Sequence, residues 1–154
     1  MDRKKPSNDL VEALKCEVLG EASLRTAARL TFNSARKEKV EVMRQLETQT
    51  KNRILDYFQR ENLAIPSLSG VVLKGTILGM LFPLSPWKGI IDNTVKETDH
   101  YLVLFNRLEE HALEEDKELF KYIVAHEVAI KAFAELEQKN ADNSLKPMTD
   151  LLTA

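Results

Sequence analysis

Four glutamates stand on helical seams that are otherwise largely apolar: Glu21, Glu47, Glu97 and Glu127. The last is the clearest. Phe120, Ile123, Glu127, Ile130 and Ala134 follow one another at spacings of 3, 4, 3 and 4, which keeps them on one face of a helix. A carboxylate facing a core is costly unless it takes up a proton, pairs with a cation or binds a metal ion. One inward carboxylate from each of four helices is the pattern of a metal site inside a helical bundle. His126 adjoins Glu127, on a strip with Tyr122, Ala129 and Phe133, and would border such a site as a ligand or as a group behind the ligands. The candidate metal ligands are therefore Glu21, Glu47, Glu97, Glu127 and His126.

A competing arrangement uses the same residues. Glu21 and Arg25, and Glu47 and Lys51, are i, i+4 pairs that would swing each carboxylate outward. Of the other histidines, His100 lies on a mostly polar strip with Asn93, Lys96 and Arg107. His111 sits where a basic group would meet the C-terminal dipole of a helix. Nucleophile and phosphate-binding signatures such as Gly-x-Gly-x-x-Gly, a P-loop or a serine elbow are missing.

The elements that must position these groups are helices. Ser7 and Asn8 are N-cap types before a seam of Leu10, Leu14, Glu17, Glu21, Leu24 and Ala28. Asn33 and Ser34 mark a break. A second helix over about 36–61 carries Val40, Met43, Glu47, Thr50, Ile54 and Tyr57. A third over about 87–112 carries Ile90, Thr94, Glu97, Tyr101, Leu104 and Leu108. A fourth over about 114–139 carries the Glu127 seam. Between the second and third, residues 62–89 hold four of the 5 glycines and three of the 5 prolines, so helix breakers are concentrated there. The apolar run 71–84 is too short to span a bilayer, which takes ~20 apolar residues. The segment is expected to be a long crossover containing a short helix, with Gly75 and Gly79 allowing close approach to a neighbour. Residues 140–154 form a tail that docks on the bundle or on a second subunit.

With turns near residues 35 and 114, the carboxylates of each helix pair differ in height by roughly 3–6 Å at ~1.5 Å per residue. With helix axes about 8–10 Å apart, the four can meet at mid-height. Here the chain resembles the ferritin-like (rubrerythrin-like) superfamily, over about residues 8–139. That resemblance implies an all-α, ferritin-like four-helix bundle with a long crossover between its second and third helices. It also implies a di-metal site with lone glutamates at Glu21 and Glu97 and Glu-x-x-His motifs beginning at Glu47 and Glu127. The histidine positions are held by Thr50 and Ile130. Without imidazole the site is carboxylate-rich and suits hard cations such as Mn or Mg better than a di-iron centre; two Fe or Mn ions are the expectation, or none where the site is degenerate.

Composition narrows the rest. At 154 residues, 44% hydrophobic and 30% charged, the chain is expected to be one helical domain. A net charge of -2 argues against non-specific nucleic-acid binding. Cys16 is the single cysteine, read as a small buried hydrophobe with no intrachain disulfide open to it. No secretory h-region follows the polar first residues, so a cytoplasmic setting is expected. Two functions follow: a metal-binding protein acting on oxygen or peroxide as an oxidoreductase, or a metal-free helical module, homodimeric, that binds a small apolar ligand or a partner.

Overall fold

The computed structural model describes residues 3–154, and its named elements are all helical. In chain order they are α1 (Asn8–Leu30), α2 (Ser34–Arg60), α3 (Ser69–Leu81), α4 (Trp87–Glu110), α5 (Lys117–Gln138) and α6 (Lys146–Leu152). Single 3-10 turns, Phe82–Leu84 and Glu114–Asp116, precede α4 and α5. No helix among the described residues is long and apolar enough to cross a membrane.

The helix ends are set locally. The Ser7 hydroxyl accepts from the Leu10 amide at 3.2 Å and starts α1. The Asn33 side chain accepts from the Arg36 amide at 3.0 Å and starts α2 after a three-residue turn, 31–33. Both α2 and α5 stop at an asparagine with positive φ, Asn62 at 52° and Asn140 at 54°. In each case the next residue's amide reaches back six positions inclusive, Leu63 to Phe58 at 2.8 Å and Ala141 to Leu136 at 3.0 Å. Asparagine there takes the left-handed conformation that usually falls to glycine.

Side-chain pairs fix the directions of packing. Glu21 meets Thr48 and Lys51, so α1 and α2 are antiparallel. Asp92 meets Gln138 and Asp99 meets Lys131, so α4 and α5 are antiparallel too. Asp9 of α1 pairs with Arg107 at the far end of α4. The crossover must therefore run the length of the molecule, and α3 does so along α1. A Cβ added at Gly75 would lie 2.7 Å from the Leu19 carbonyl, and one added at Gly79 only 2.3 Å from the Ser23 carbonyl. The outer side of α3 is left uncovered: Leu73 is 62% exposed and Met80 54%. The tail docks on the same molecule, since α6 buries Met148 completely beside Phe133 and Ala134.

The core falls into two apolar clusters. One holds Leu24, Val40, Met43, Ile91, Ile130 and Phe133. The other holds Leu14, Ile54, Phe58, Phe105, Phe120 and Ile123. Between them lies a buried polar layer of Glu17, Glu47, Thr50, His126 and Glu127.

The expected boundaries of α1, α2, α4 and α5 agree with the observed ones to within about three residues. The inward face of α4 differs. It is Ile91, Thr98, Leu104 and Phe105 that are buried, while Glu97 is exposed. The two stripes are about 100° apart on the helix. At the start of α4, Trp87 Nε1 donates to Glu137 at 2.8 Å and its ring lies beneath Arg36 and Lys39.

Close contact at Gly79 makes a prediction. Gly79→Ala should part α3 from α1 and cost about 1–3 kcal/mol. Gly70→Ala, with open space around its Cβ, should instead stabilise by about 0.5–1 kcal/mol. Urea denaturation of the two variants beside the parent measures both.

Candidate metal centre

At mid-height, Glu17 of α1, Glu47 of α2 and His126 of α5 each offer a donor atom within 4.8 Å of the others. His126 Nε2 is 3.2 Å from Glu17 Oε2, 3.9 Å from Glu47 Oε1 and 3.8 Å from Glu127 Oε2. Donors on opposite sides of an ion with bonds of ~2.1 Å stand about 4.2 Å apart, so these separations suit one shared ion. Glu17 and His126 are both 0% exposed.

Hydrogen bonding leaves the inward atoms free. The Nδ1 side of His126 meets Thr50 Oγ1 at 2.8 Å, and the Thr50 hydroxyl donates to Tyr122 Oη at 3.5 Å. In the tautomer that carries the ring proton on Nδ1 and donates it to Thr50, Nε2 presents a lone pair to the carboxylates. Tyr122 is held in turn beneath the Arg53 guanidinium, 3.7 Å from the ring centre. Nε2 and both carboxylate oxygens of Glu17 have no hydrogen-bond partner, although they face one another. Buried polar atoms are seldom left so. A histidine fixed through one nitrogen, with the other aimed at carboxylates, is the usual setting of an imidazole ligand.

Room for Glu47 comes from Gly20. A Cβ at that position would lie 2.7 Å from Glu47 Oε2 and 2.8 Å from its Cδ. The glycine therefore makes a cradle on α1 into which the α2 carboxylate fits.

The electrostatics follow from burial without a countercharge. Burial, and then the charge of Glu47, pushes the Glu17 carboxyl well above the ordinary range. Burial raises Glu47 to about 7. Burial, followed by the charges of Glu47 and Glu97, raises Glu127 as well. Burial depresses His126 to about 3, so its ring is neutral. Glu21 behaves oppositely. Burial works against its charge, but Lys51, Arg25 and Thr48 outweigh it and hold the carboxyl below the ordinary range.

A cavity of about 220 Å³ reaches this layer from the side of α3 and α4. Glu47 and Glu127 line its inner end, Thr98, Tyr101 and Cys16 its sides, and Glu97 its outer part. Cys16 is half-buried rather than a core residue.

Of the sequence-predicted ligands, Glu47, Glu127 and His126 come together. Glu21 does not join them: it turns to Arg25 and Lys51, so that Lys51, the candidate partner of Glu47, serves Glu21. Glu97 is on the exposed side of α4. His100 is exposed, and the His111 ring meets the Arg107 carbonyl at 2.7 Å at the end of α4, as its position suggested. Glu17, Thr50 and Gly20 complete the site. Glu17 was visible on the same α1 seam as Glu21, one turn earlier. Thr50 occupied the very position where the resemblance called for a histidine. Gly20 gave no sequence signal beyond being a glycine inside a helix.

Comparison with models of known protein families, with curated proteins and with solved structures finds no match to this chain.

Without metal, the carboxyls are predicted to make stability depend on pH in an unusual sense. Glu47 has a folded pKa of about 7, above the ordinary 4.5. Its contribution is whole below 4.5 and is lost as pH rises towards 7, because only the unfolded chain ionises in that window. The loss is on the order of 2–3 kcal/mol. His126, lowered from 6.5 to about 3, acts the other way: stability falls as pH drops below 6.5. Glu47→Gln removes the first effect and also relieves Glu17 and Glu127 of the Glu47 charge. Its advantage over the parent in metal-free urea denaturation should widen between pH 4.5 and 7; a gap that stays constant would mean that Glu47 ionises normally.

Proposed function

We propose that this chain binds a transition-metal ion through Glu17, Glu47 and His126, with Glu127 as a further donor. One observation carries the reading: a fully buried carboxylate with no counter-cation faces the free nitrogen of a histidine whose other nitrogen is held by Thr50. Carboxylates are served by hard cations such as Mn and imidazole by Fe and Zn, so a donor set of three carboxylates and one imidazole favours Fe(II) or Mn(II). When bound, either ion would supply one-electron chemistry with oxygen or peroxide. The chain's own contribution is positional. Thr50 orients the imidazole, Gly20 admits the Glu47 carboxylate, and the two apolar clusters keep bulk water from Glu17. These donors make a complete set for one ion. A second ion would have to draw on Glu127 and Glu97, and Glu97 is solvent-exposed.

The ferritin-like reading belongs with this proposal. Two antiparallel helix pairs, a crossover running the length of the molecule and inward carboxylates on α1, α2 and α5 support it. Thr50 and Ile130 in the histidine positions give the site a ligand set of its own, with His126 coming from the neighbouring position on α5.

Metal analysis by plasma mass spectrometry, on untagged protein exposed to Fe(II) or Mn(II), tests the proposal. About one equivalent per chain is expected. Glu17→Gln should abolish it, and Thr50→Val should weaken affinity about 10–100-fold by freeing the imidazole. Glu21→Gln should leave it unchanged. Metal-free protein under all conditions would sink the reading.

A second reading, self-association, is favoured by the outer stripe of α3. Leu73, Ile77, Leu81 and Leu84 recur at helical spacing, and each is at least half exposed. Lys74 is exposed in line with Leu81 along α3, and the rest of the stripe is apolar and so can meet its own copy across a two-fold axis. Light scattering should give twice the chain mass for the parent and the chain mass for Ile77→Glu. A monomeric parent at high concentration would end this reading.

A further inference from the structure

We infer that the cavity above the carboxylate layer binds a small, largely apolar molecule that carries a hydroxyl or amine donor and no negative charge. Its volume, about 220 Å³, is below the roughly 300–1,000 Å³ of sites for drug-sized ligands and cofactors. Space for on the order of seven waters admits a single ring and excludes a nucleotide, a flavin or a haem. Leu19, Leu24, Met43, Leu78, Phe82 and Ile130 make most of the wall apolar, with Ser23, Asn93, Thr94, Thr98 and Tyr101 as neutral polar interruptions. Two of these, Leu78 and Phe82, come from the crossover, whose seat on α1 at Gly75 and Gly79 fixes that wall at close range.

Charge decides the ligand class. Glu47 and Glu127 are at the inner end and Glu97 is at the outer end, while no lysine or arginine lines the cavity. An anion entering it would pass the Glu97 carboxylate at the mouth and leave water with no cation inside to pair with. A hydroxyl or amine, by contrast, has a proton to donate to the carboxylate oxygens. This ligand class rests on the metal reading only in that both use Glu47 and Glu127.

Three molecules of one shape and different charge test it: benzyl alcohol, benzylamine and benzoate. Each would be titrated into isotope-labelled protein, metal-free and Zn(II)-loaded, and followed by methyl and amide NMR. Benzyl alcohol and benzylamine are expected to shift resonances of Met43, Leu78 and Ile130, with benzoate at least tenfold weaker. Leu78→Trp should fill the cavity and abolish the shifts while leaving metal stoichiometry intact. Glu97→Lys, at an exposed position that does not threaten folding, should strengthen benzoate binding about three- to tenfold. Equal binding of benzoate and benzyl alcohol to the parent overturns the proposal, as do shifts that fall elsewhere or survive Leu78→Trp. Shifts from benzyl alcohol in a protein that takes up no metal would uphold the cavity and remove the metal reading. Stoichiometric metal without such shifts would do the reverse.

Discussion

Glu17 is a carboxyl buried where its charged form meets no cation of the protein. It is completely enclosed, its two oxygens lack hydrogen-bond partners, and Arg25 and Lys51 are spent on Glu21, one turn further along α1. Much of the interior is arranged around that constraint. Apolar packing stops on either side of the layer it occupies, which divides the core in two. A second carboxylate is let in by a glycine, and a histidine is turned by a threonine so that its unprotonated nitrogen faces the same point. Each of these features opposes simple hydrophobic burial, and their convergence on a single point distinguishes a built site from scattered polar residues in a core.

Glu17 and Glu21 show how much depends on long-range partners. They are one helical turn apart on the same stripe of α1, and both are buried. One is saturated by a neighbour four residues on and by a lysine thirty residues away; the other has neither. Periodicity assigns both to the interior. Which of the two is left bare depends on the register of α1 against α2, and that register is a property of the folded pair.

Helix positions, caps and the crossover were therefore legible, because hydrophobic spacing and cap residues act over a few positions. Glu47, Glu127 and His126 were legible for the same reason: their neighbours on the helix place them inward. Glu97 was read as inward because α4 carries two usable stripes, and which of them faces the core is decided by packing against the other helices, beyond the reach of a local pattern. Thr50 was noticed only as a missing histidine. Its part in orienting His126 depends on α2 and α5 lying side by side, which no local pattern encodes.

The position of His126 also bears on how the molecule could open. α1 packs extensively on α3 and on α2, and α4 on α5, while contact between those two groups is sparse. Glu17 and Glu47 belong to one group, His126 and Glu127 to the other. The donors thus straddle the natural parting line of the structure, like the two halves of a clasp. An ion held there would fasten the halves together, and its departure would be felt as a loosening along the whole seam, as faster amide exchange far from any ligand.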